Sequence, residues 1–419
     1  MMARFLYSVV VVALLPWAML HLLWRARRQP EYLRHWAERF GLGGGCVSSQ
    51  PTIWLHAVSV GETRAAQPLV AALRERHPGH RILFTHMTPT GRATSEALYG
   101  DAVERVYLPY DTPWAMRRFL RRERPVLGLI METELWPNLI AACRAEGIPL
   151  HLVNARLSER SARRYARFPA LTRTALQCLS GIAAQSADDA RRLVELGARP
   201  PTVTGNMKFD VAVPASQLEL AQEFRRLWGQ RHVWLAASTR EGEEALILDA
   251  WKRAGADASA LLVLVPRHPQ RVEEVAHLVA THDLALQRRS DNASIAAQTR
   301  VVLGDSMGEM FAYYASADLA FVGGSLLDFG SQNLIEAAAC GTPILIGPST
   351  RNFAEAAREA LAGGAARQIG DADDLVRQVL LLLAAAEARR RMGEAGRIFA
   401  ERHRGATART LALVTPAGR

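Results

Sequence analysis

The sequence predicts an α/β protein of two domains, each built on a parallel sheet, behind an apolar N-terminal helix. Three observations carry this expectation. Short apolar runs alternate with stretches of helical periodicity in two separate sets, one from Pro51 and one from about Arg231. Between the sets, Asn206 to Gln217 (NMKFDVAVPASQ) carries Pro214, lacks helical periodicity and reads as a linker. Ahead of both, Phe5 to Trp24 is twenty residues without a formal charge, His21 taken as neutral. Strand–helix alternation of this kind builds a parallel sheet covered on both faces. A chain of 419 residues, 49% of them hydrophobic, is long enough for two such cores.

As a helix, FLYSVVVVALLPWAMLHLLW (Phe5 to Trp24) would be roughly 30 Å long, about the hydrocarbon thickness of a bilayer. Tyr7, Trp17 and Trp24 suit interfacial positions. Arg25, Arg27 and Arg28 follow at once, which by the positive-inside rule places the rest of the chain in the cytoplasm. A cleaved signal peptide is the rival, but the stretch is long for its apolar region and no small-x-small site precedes the arginines. Pro16 also allows a kinked helix that enters one leaflet without crossing. The stretch reads as an anchor. Next, PEYLRHWAERFG (Pro30 to Gly41) predicts a basic amphipathic helix at the membrane surface.

The first set predicts strands at Ile53–Val58, Arg81–His86, Glu104–Tyr107, Val126–Met131, Pro149–Val153 and Gly181–Ala184. Its helices are expected at Ala65–Arg76, Pro113–Arg122, Leu139–Glu146 and Ser161–Leu179. The second set predicts strands at His232–Ala236, Ala260–Val265, Leu284–Gln287, Arg300–Leu303, Leu319–Val322 and Pro343–Ile346. The expected domains are an anchor over 1–28, a first domain over 29–212 and a second over 213–419, with C-terminal helices that could cross back to the first. Two Rossmann-like domains facing a cleft would bind ligands outside the carboxyl ends of their strands, so functional motifs belong just after strands.

Composition narrows the partners. The formal charge is +10, almost all of it from arginine, with Lys208 and Lys252 the two lysines. Such an excess suits nucleic acid, an anionic membrane or acidic substrates. No aromatic-interleaved basic stripe or zinc finger is present, so nucleic acid is not expected. Cys46, Cys143, Cys178 and Cys340 are scattered with no CxxC pair, which favours a reducing compartment over a disulfide framework or a zinc site.

After the first strand, HAVSVGE (His56 to Glu62) puts a glutamate where a phosphate-binding loop would need none. LIMETELWPNLI (Leu129 to Ile140) places Glu132 and Glu134 two apart at a strand end, where alternation aims both carboxylates to one side. Helix capping is the other reading for Glu134. Lys208, in TGNMKFD, offers a point-like ammonium at the linker, with chance as the competing account.

In the second set, VWLAASTREGEE offers Ser238 and Thr239 before a helix. A phosphate cradle and ordinary capping through Ser238 and Glu241 both fit. VPRHP fixes Arg267 and His268 between two prolines after a strand, suited to a phosphate. In GDSMGEM, Ser306 and Glu309 fit a capping box, while Gly308 lets backbone approach a flat base. The richest run is FVGGSLLDFGSQNLIEAAACGTPILIGP, from Phe321 to Pro348. Gly323 and Gly324 end a strand, and a helix is expected to start near Ser331. Asn333 and Glu336 then share a face, where a carboxylate can take two ribose hydroxyls. This run reads as a nucleotide-sugar site. The DAD triplet Asp371–Asp373 opens an amphipathic helix and reads as a cap. The histidines show no HxxxH spacing, so no metal site is expected.

With HAVSVGE, METELWPNL, GNMKFD, VPRHP, GEM and GGSL…QNLIEAAACGTPILIGP in this order behind an anchor, the chain resembles the Kdo transferase family over nearly its whole length. Kdo is 3-deoxy-D-manno-oct-2-ulosonic acid. The resemblance implies a GT-B fold, with an acceptor site in the first domain and a CMP-Kdo site in the second. It implies attachment to the cytoplasmic face of the inner membrane, no cofactor, and transfer of Kdo to a lipid A precursor. It further implies Glu62 as general base, with Glu132 and Lys208 stabilising the transition state. Pro266, Arg267, Gly308, Glu309, Met310, Asn333, Leu334, Ile335 and Glu336 would hold CMP; read from the strand-end loops themselves, Ser238, Thr239, His268 and Gly324 are further candidate donor contacts. Two segments depart from the family pattern. Asp328 to Ser331 replace the more usual Gly-Gly, and Ser349 and Arg351 stand where His and Phe are common.

The implied reaction is an inverting transfer in which a glutamate takes the proton of an acceptor hydroxyl and the anomeric carbon passes through an oxocarbenium-like state. Arg267 and helix N-termini would neutralise the departing CMP without a metal. The alternatives are a membrane-associated GT-B enzyme using a UDP-sugar, a sugar-nucleotide epimerase, and a non-catalytic scaffold that binds nucleotides.

Overall fold

Two parallel seven-stranded sheets organise the chain in a computed structural model that describes residues 2–43, 50–255 and 260–414. Cys46 lies outside the described residues, as do residues 415–419 of the expected second domain. The first compact unit comprises Met1–Val211 and Arg404–Arg419, and the second comprises Ala212–His403.

Sheet one runs in the order β3-β2-β1-β4-β5-β6-β7. Its strands are β1 (Thr52–His56), β2 (Arg81–His86), β3 (Glu104–Tyr107), β4 (Pro125–Met131), β5 (Leu150–Ala155), β6 (Gly181–Ala184) and β7 (Thr202–Val203). Strands β1, β2, β4 and β5 are buried along their whole length, as expected where helices cover both faces. The two core layers centre on Trp54, Phe119 and Leu139 on one face and Leu55, Phe84 and Leu69 on the other.

Sheet two runs in the order β10-β11-β9-β8-β12-β13-β14. Its strands are β8 (His232–Thr239), β9 (Ala260–Pro266), β10 (Leu286–Arg288), β11 (Val301–Leu303), β12 (Leu319–Val322), β13 (Ile344–Ile346) and β14 (Ala366–Gln368). Trp234 and Trp251, with ring centroids 5.2 Å apart, sit within its core.

Each sheet reverses its winding once. Strands β1 and β4 are neighbours whose connections leave in opposite directions, and so are β8 and β12. Ligands of open α/β sheets bind at such points.

Several local expectations are corrected. Pro30 to Gly41 is not an amphipathic α-helix but two 3-10 turns, Pro30–Leu33 and Trp36–Phe40, parted by His35 at φ 54°. Two of its charged residues, Glu38 and Arg39, are buried. The Glu38 carboxylate accepts from the Tyr107 backbone N–H at 2.7 Å and from Arg92 at 3.1 Å, and Arg39 stacks 4.1 Å over the Tyr107 ring. The helix expected over Ala65–Arg76 is two, Val60–Ala65 and Gln67–Arg76, with Pro68 opening the second. Ser161–Leu179 likewise divides into Glu159–Tyr165 and Pro169–Cys178, again at a proline. The linker is shorter than Asn206–Gln217, because a helix starts at Ala215 directly after Pro214. The helix Ala406–Leu413, one of the C-terminal helices that could cross back, groups with the first unit. The Asp210 carboxylate accepts from the backbone N–H of Gly405 at 2.6 Å and of Thr407 at 2.5 Å, which fixes that return.

Candidate functional site

In the first unit, Glu62, Glu132, Glu134 and Lys208 converge at the β1/β4 reversal. Ser59 caps the helix Val60–Ala65, its hydroxyl accepting from the Glu62 backbone N–H at 3.2 Å. The Glu62 carboxylate answers by accepting from the Val58 N–H at 2.8 Å and the Ser59 hydroxyl at 2.8 Å. Glu62 is therefore both a helix-cap partner and a positioned carboxylate. Burial, followed by the charge of Glu132, pushes its carboxyl up to about 7, against the pull of those two hydrogen bonds. Burial and then Glu132 likewise push Glu134 up to about 7.

Strand alternation does not aim Glu132. Strand β4 ends at Met131, and Glu132 takes φ 55°, a left-handed backbone that a non-glycine residue seldom adopts. Its N–H still donates to Val153 O at 3.0 Å, and its carboxylate lies 3.4 Å from the Lys208 ammonium. Strain at such a position is a mark of functional sites.

Residues that sequence reasoning passed over hold this cluster. Asn154, at φ 52°, accepts from the Met207 N–H at 3.0 Å and so seats the turn bearing Lys208. His56, at the end of β1, faces Thr85 through Nδ1 at 2.9 Å, and burial lowers it to about 4. His86 is lowered to about 3, again first by burial. Both are neutral imidazoles beneath the site, and their Nε2 atoms are buried without a protein partner. His56 lies inside the HAVSVGE motif, but burial is not visible in residue type.

In the second unit, the β8/β12 reversal gathers glycines and arginines. A Cβ on Gly323 would lie 2.6 Å from Ser238 O and 2.7 Å from Thr239 Cα, so only glycine lets β12 end against β8. Ser238 takes φ 56°. The capping box expected for Ser238 and Glu241 does not form, because β8 continues to Thr239 and the helix starts at Glu243. The Thr239 hydroxyl donates to Glu244 at 2.8 Å, and Glu244 pairs with Arg271 at 2.7 Å. Glu243, unforeseen, is fully buried. One of its oxygens accepts from the Arg240 and Gly324 N–H groups at 2.8 and 2.7 Å, and the other from Leu326 N–H at 3.0 Å. This carboxylate ties the glycine loop to the end of β8. Only the first glutamate of GEE does so, and nothing in the dipeptide marks it.

Pro266 ends β9 opposite Thr239, and the next N–H, of Arg267, donates to Thr239 O at 2.9 Å. The Arg267 guanidinium reaches Gln332 at 3.1 Å. His268 is held below its ordinary value by burial and then by Arg240, Arg267 and Arg271, which marks this edge as positive.

Gly308, at φ 84°, leaves open space where a side chain would stand. Glu309 forms no capping box with Ser306 around an N-terminal N–H. Its carboxylate accepts from the Ser306 hydroxyl and pairs with Arg289 at 3.3 Å, just ahead of the helix Met310–Ser316.

The helix expected near Ser331 starts at Ile335. Ser331, buried at φ 68°, instead turns the chain so that its N–H and that of Gln332 donate to Gly324 O and Gly323 O at 2.6 and 2.9 Å. The Asn333 amide donates to Glu336 at 3.0 Å, while Leu334 and Ile335 put their side chains in the core. Of that quartet, Asn333 and Glu336 are the polar pair.

The two unusual segments meet. Asp328 accepts from Ser349 at 3.1 Å and pairs with Arg351, and Gly330 N–H donates to the Ser349 hydroxyl at 3.0 Å. The two segments are therefore tied to each other in one strap. Asp371 caps its helix, accepting from Asp374 N–H at 2.8 Å. Among the described residues, no group of three His, Cys, Asp or Glu is arranged to hold a metal ion.

Comparison with known proteins adds the following. The sequence model of the 3-deoxy-D-manno-octulosonic-acid transferase family (kdotransferase) matches residues 34–211, and that of glycosyl transferases group 1 matches 276–399. A 3-deoxy-D-manno-octulosonic acid transferase of Bordetella pertussis is 46% identical, covering 98% of either chain. Its counterpart in Haemophilus influenzae is 39% identical, covering 99% of either chain. Among solved structures, a UDP-GlcNAc 2-epimerase from Neisseria meningitidis bound to UDP-GlcNAc superposes with a TM-score of 0.60. It has 15% identity and covers 86% of this chain and 99% of its own, which is a likeness of fold.

Proposed function

The chain belongs to the 3-deoxy-D-manno-octulosonic-acid (Kdo) transferase family, and from that premise we propose an inverting, metal-independent transfer of Kdo from CMP-Kdo to a lipid A precursor. In this reading the transfer runs at the cytoplasmic face of the inner membrane, with the apolar N-terminal helix, long enough to reach into a bilayer, as anchor. The first unit is the acceptor side and the second the CMP-Kdo side.

The observation that carries this reading is Glu62. Two short hydrogen bonds fix its carboxylate, and burial raises it to about 7. A base works best when its pKa lies near the working pH, where it is ionised yet still binds a proton well. An acceptor hydroxyl is a poor nucleophile until its proton is taken. Glu62 removes that proton as the oxygen attacks the anomeric carbon, and the bond to CMP breaks on the opposite face. Positive charge grows on the sugar ring in such a transition state. Glu132 stabilises that charge, and the Lys208 ammonium, 3.4 Å away, holds the carboxylate in place. On the donor side, Arg267 and the neighbouring arginines neutralise the leaving phosphate, Asn333 and Glu336 take ribose hydroxyls, and Gly308 admits the base.

The test is the lipid product formed by purified enzyme from CMP-Kdo and a tetraacylated disaccharide bisphosphate, read by mass spectrometry. A mass increase of one or more Kdo units is expected, inhibited by CMP in preference to UDP. No Kdo adduct, or inhibition by UDP alone, sinks the proposal.

A further inference from the structure

The N-terminal helix α1 (Met2–Ala26) is long and apolar enough to cross a membrane. Its contacts argue against crossing. Near its start, the Ser8 hydroxyl donates to Asn138 Oδ1 at 2.9 Å, and the Tyr7 hydroxyl donates to the Asp111 carboxylate. Asp111 and Asn138 are both buried in the first unit, where Asp111 also accepts from the Asn138 and Leu139 N–H groups at 3.0 and 2.8 Å. At its other end, Ala26 is buried and the Arg25 guanidinium lies 4.5 Å over the Tyr32 ring. At 1.5 Å per residue, Ser8 and Ala26 are about 27 Å apart along the axis, close to a hydrocarbon thickness. One globular unit thus holds both ends, which no helix standing across a bilayer permits.

Burial along α1 agrees. Residues 3, 7, 8, 11, 12, 15, 18, 22 and 26 are partly or fully covered, a stripe of helical period that follows the whole length. The other side exposes large apolar groups, Phe5 at 71%, Leu6 at 64%, Trp17 at 63% and Leu20 at 67% among them. The helix is apolar all round because one side meets protein and the other meets something equally apolar. Exposed arginines at 4, 25, 27 and 28 flank that side. The same region adds Trp114, half-exposed three residues after Asp111, and Phe168, exposed at the start of the helix Pro169–Cys178 that packs on α1.

We propose that α1 is an in-plane membrane element, fastened along the first unit and sunk through its outer face into one leaflet of an anionic lipid surface, without crossing it. Apolar burial to the depth of the acyl boundary, framed by arginines on lipid headgroups, is the binding mode of interfacial helices. The inference rests on the membrane location proposed above and specifies its topology. Met2 then lies on the same side as the rest of the chain.

Full-length protein carrying Met2→Cys, with the parent chain as background, is exposed in intact spheroplasts to a membrane-impermeant maleimide. No labelling above background is expected until the membrane is permeabilised. Labelling in intact spheroplasts overturns the proposal in favour of a spanning helix. Purified protein should float with phosphatidylglycerol vesicles, and the exposed-face pair Leu6→Asp and Leu20→Asp should lose at least tenfold in bound fraction with an unchanged circular dichroism spectrum. Full flotation of the pair, or a lipid-free dimer that buries this face, also overturns it. Neither readout uses Kdo transfer, so failure here and failure of the proposed reaction are separable.

Discussion

Replacing Glu62 by glutamine keeps the side chain's shape and removes its ability to take a proton. General base catalysis by a positioned group contributes about 10²–10⁴-fold, so the barrier should rise by about 2.7–5.4 kcal/mol. The fold should survive. A glutamine carbonyl can accept from either Val58 N–H or the Ser59 hydroxyl, and its amide faces the other donor. That costs about 0.5–1.5 kcal/mol for one lost hydrogen bond. The pH profile makes the assignment specific. With a carboxyl at about 7, the ionised fraction falls from about nine-tenths at pH 8 to about one-tenth at pH 6, so kcat/KM should fall roughly tenfold over that range. A carboxyl at its ordinary value would give no such fall. Stability has the opposite sign: a raised carboxyl favours folding below its ordinary value, and that contribution is lost as the pH rises through about 7. Glu62→Gln should therefore flatten the Tm against pH as it removes the acidic limb of the rate. Glu134 is raised as far, so Glu134→Gln is the necessary companion. Near-normal turnover in Glu62→Gln, or an acidic limb abolished by Glu134→Gln and retained in Glu62→Gln, would refute the assignment.

Arg267→Ala should raise the KM for CMP-Kdo at least tenfold, the value of one charge-assisted hydrogen bond. It should leave the acceptor KM unchanged, as measured by steady-state kinetics with each substrate varied. Gly323→Ala forces a methyl to within 2.6 Å of Ser238 O, which is backbone and cannot swing away, so a loss of about 1–3 kcal/mol is expected in urea unfolding. Glu123→Ala removes one of the two carboxylates on the buried Arg81 guanidinium, the one at 2.9 Å, and leaves Glu104 at 2.8 Å, so it should cost about 1.5–3 kcal/mol, seen as a lower urea midpoint at unchanged m-value.

Much of the architecture was legible because apolar runs bounded by turn residues carry a strong periodic signal. Arg81–His86, Glu104–Tyr107, Gly181–Ala184 and Leu319–Val322 stand as the pattern predicts. The edge strands Thr202–Val203 and Ala366–Gln368 are two and three residues long and leave no period to read. Pro30 to Gly41 misled for another reason. Its charged residues mimic a polar face, but Glu38 serves a strand end and Arg39 a tyrosine ring. In the site, Glu62, Glu132 and Lys208 were readable as residues out of place. Glu243 and Asn154 were not, because their value lies in which backbone N–H groups they meet, and that depends on chain segments remote in sequence.

The two sheet reversals use one structural opportunity for opposite electrostatics. At β1/β4 the chain leaves three carboxylates and one lysine, and burial holds two of the carboxyls at about 7. A phosphate brought to that cluster would meet like charge with little solvent to screen it, so it is a poor place for a nucleotide. A neutral hydroxyl brought there would instead meet a carboxyl raised to about 7, as the proposed base requires. At β8/β12 the carboxylates Glu243 and Glu244 point inward and are fully buried, consumed by backbone N–H groups and by Arg271. What faces that edge is glycine backbone with Arg240, Arg267 and a depressed His268, a setting that favours an anion. The glutamate in HAVSVGE is therefore consistent with its fold position. The strand-end crevice can serve either partner of a transfer, and the sign of the side chains delivered to it decides which.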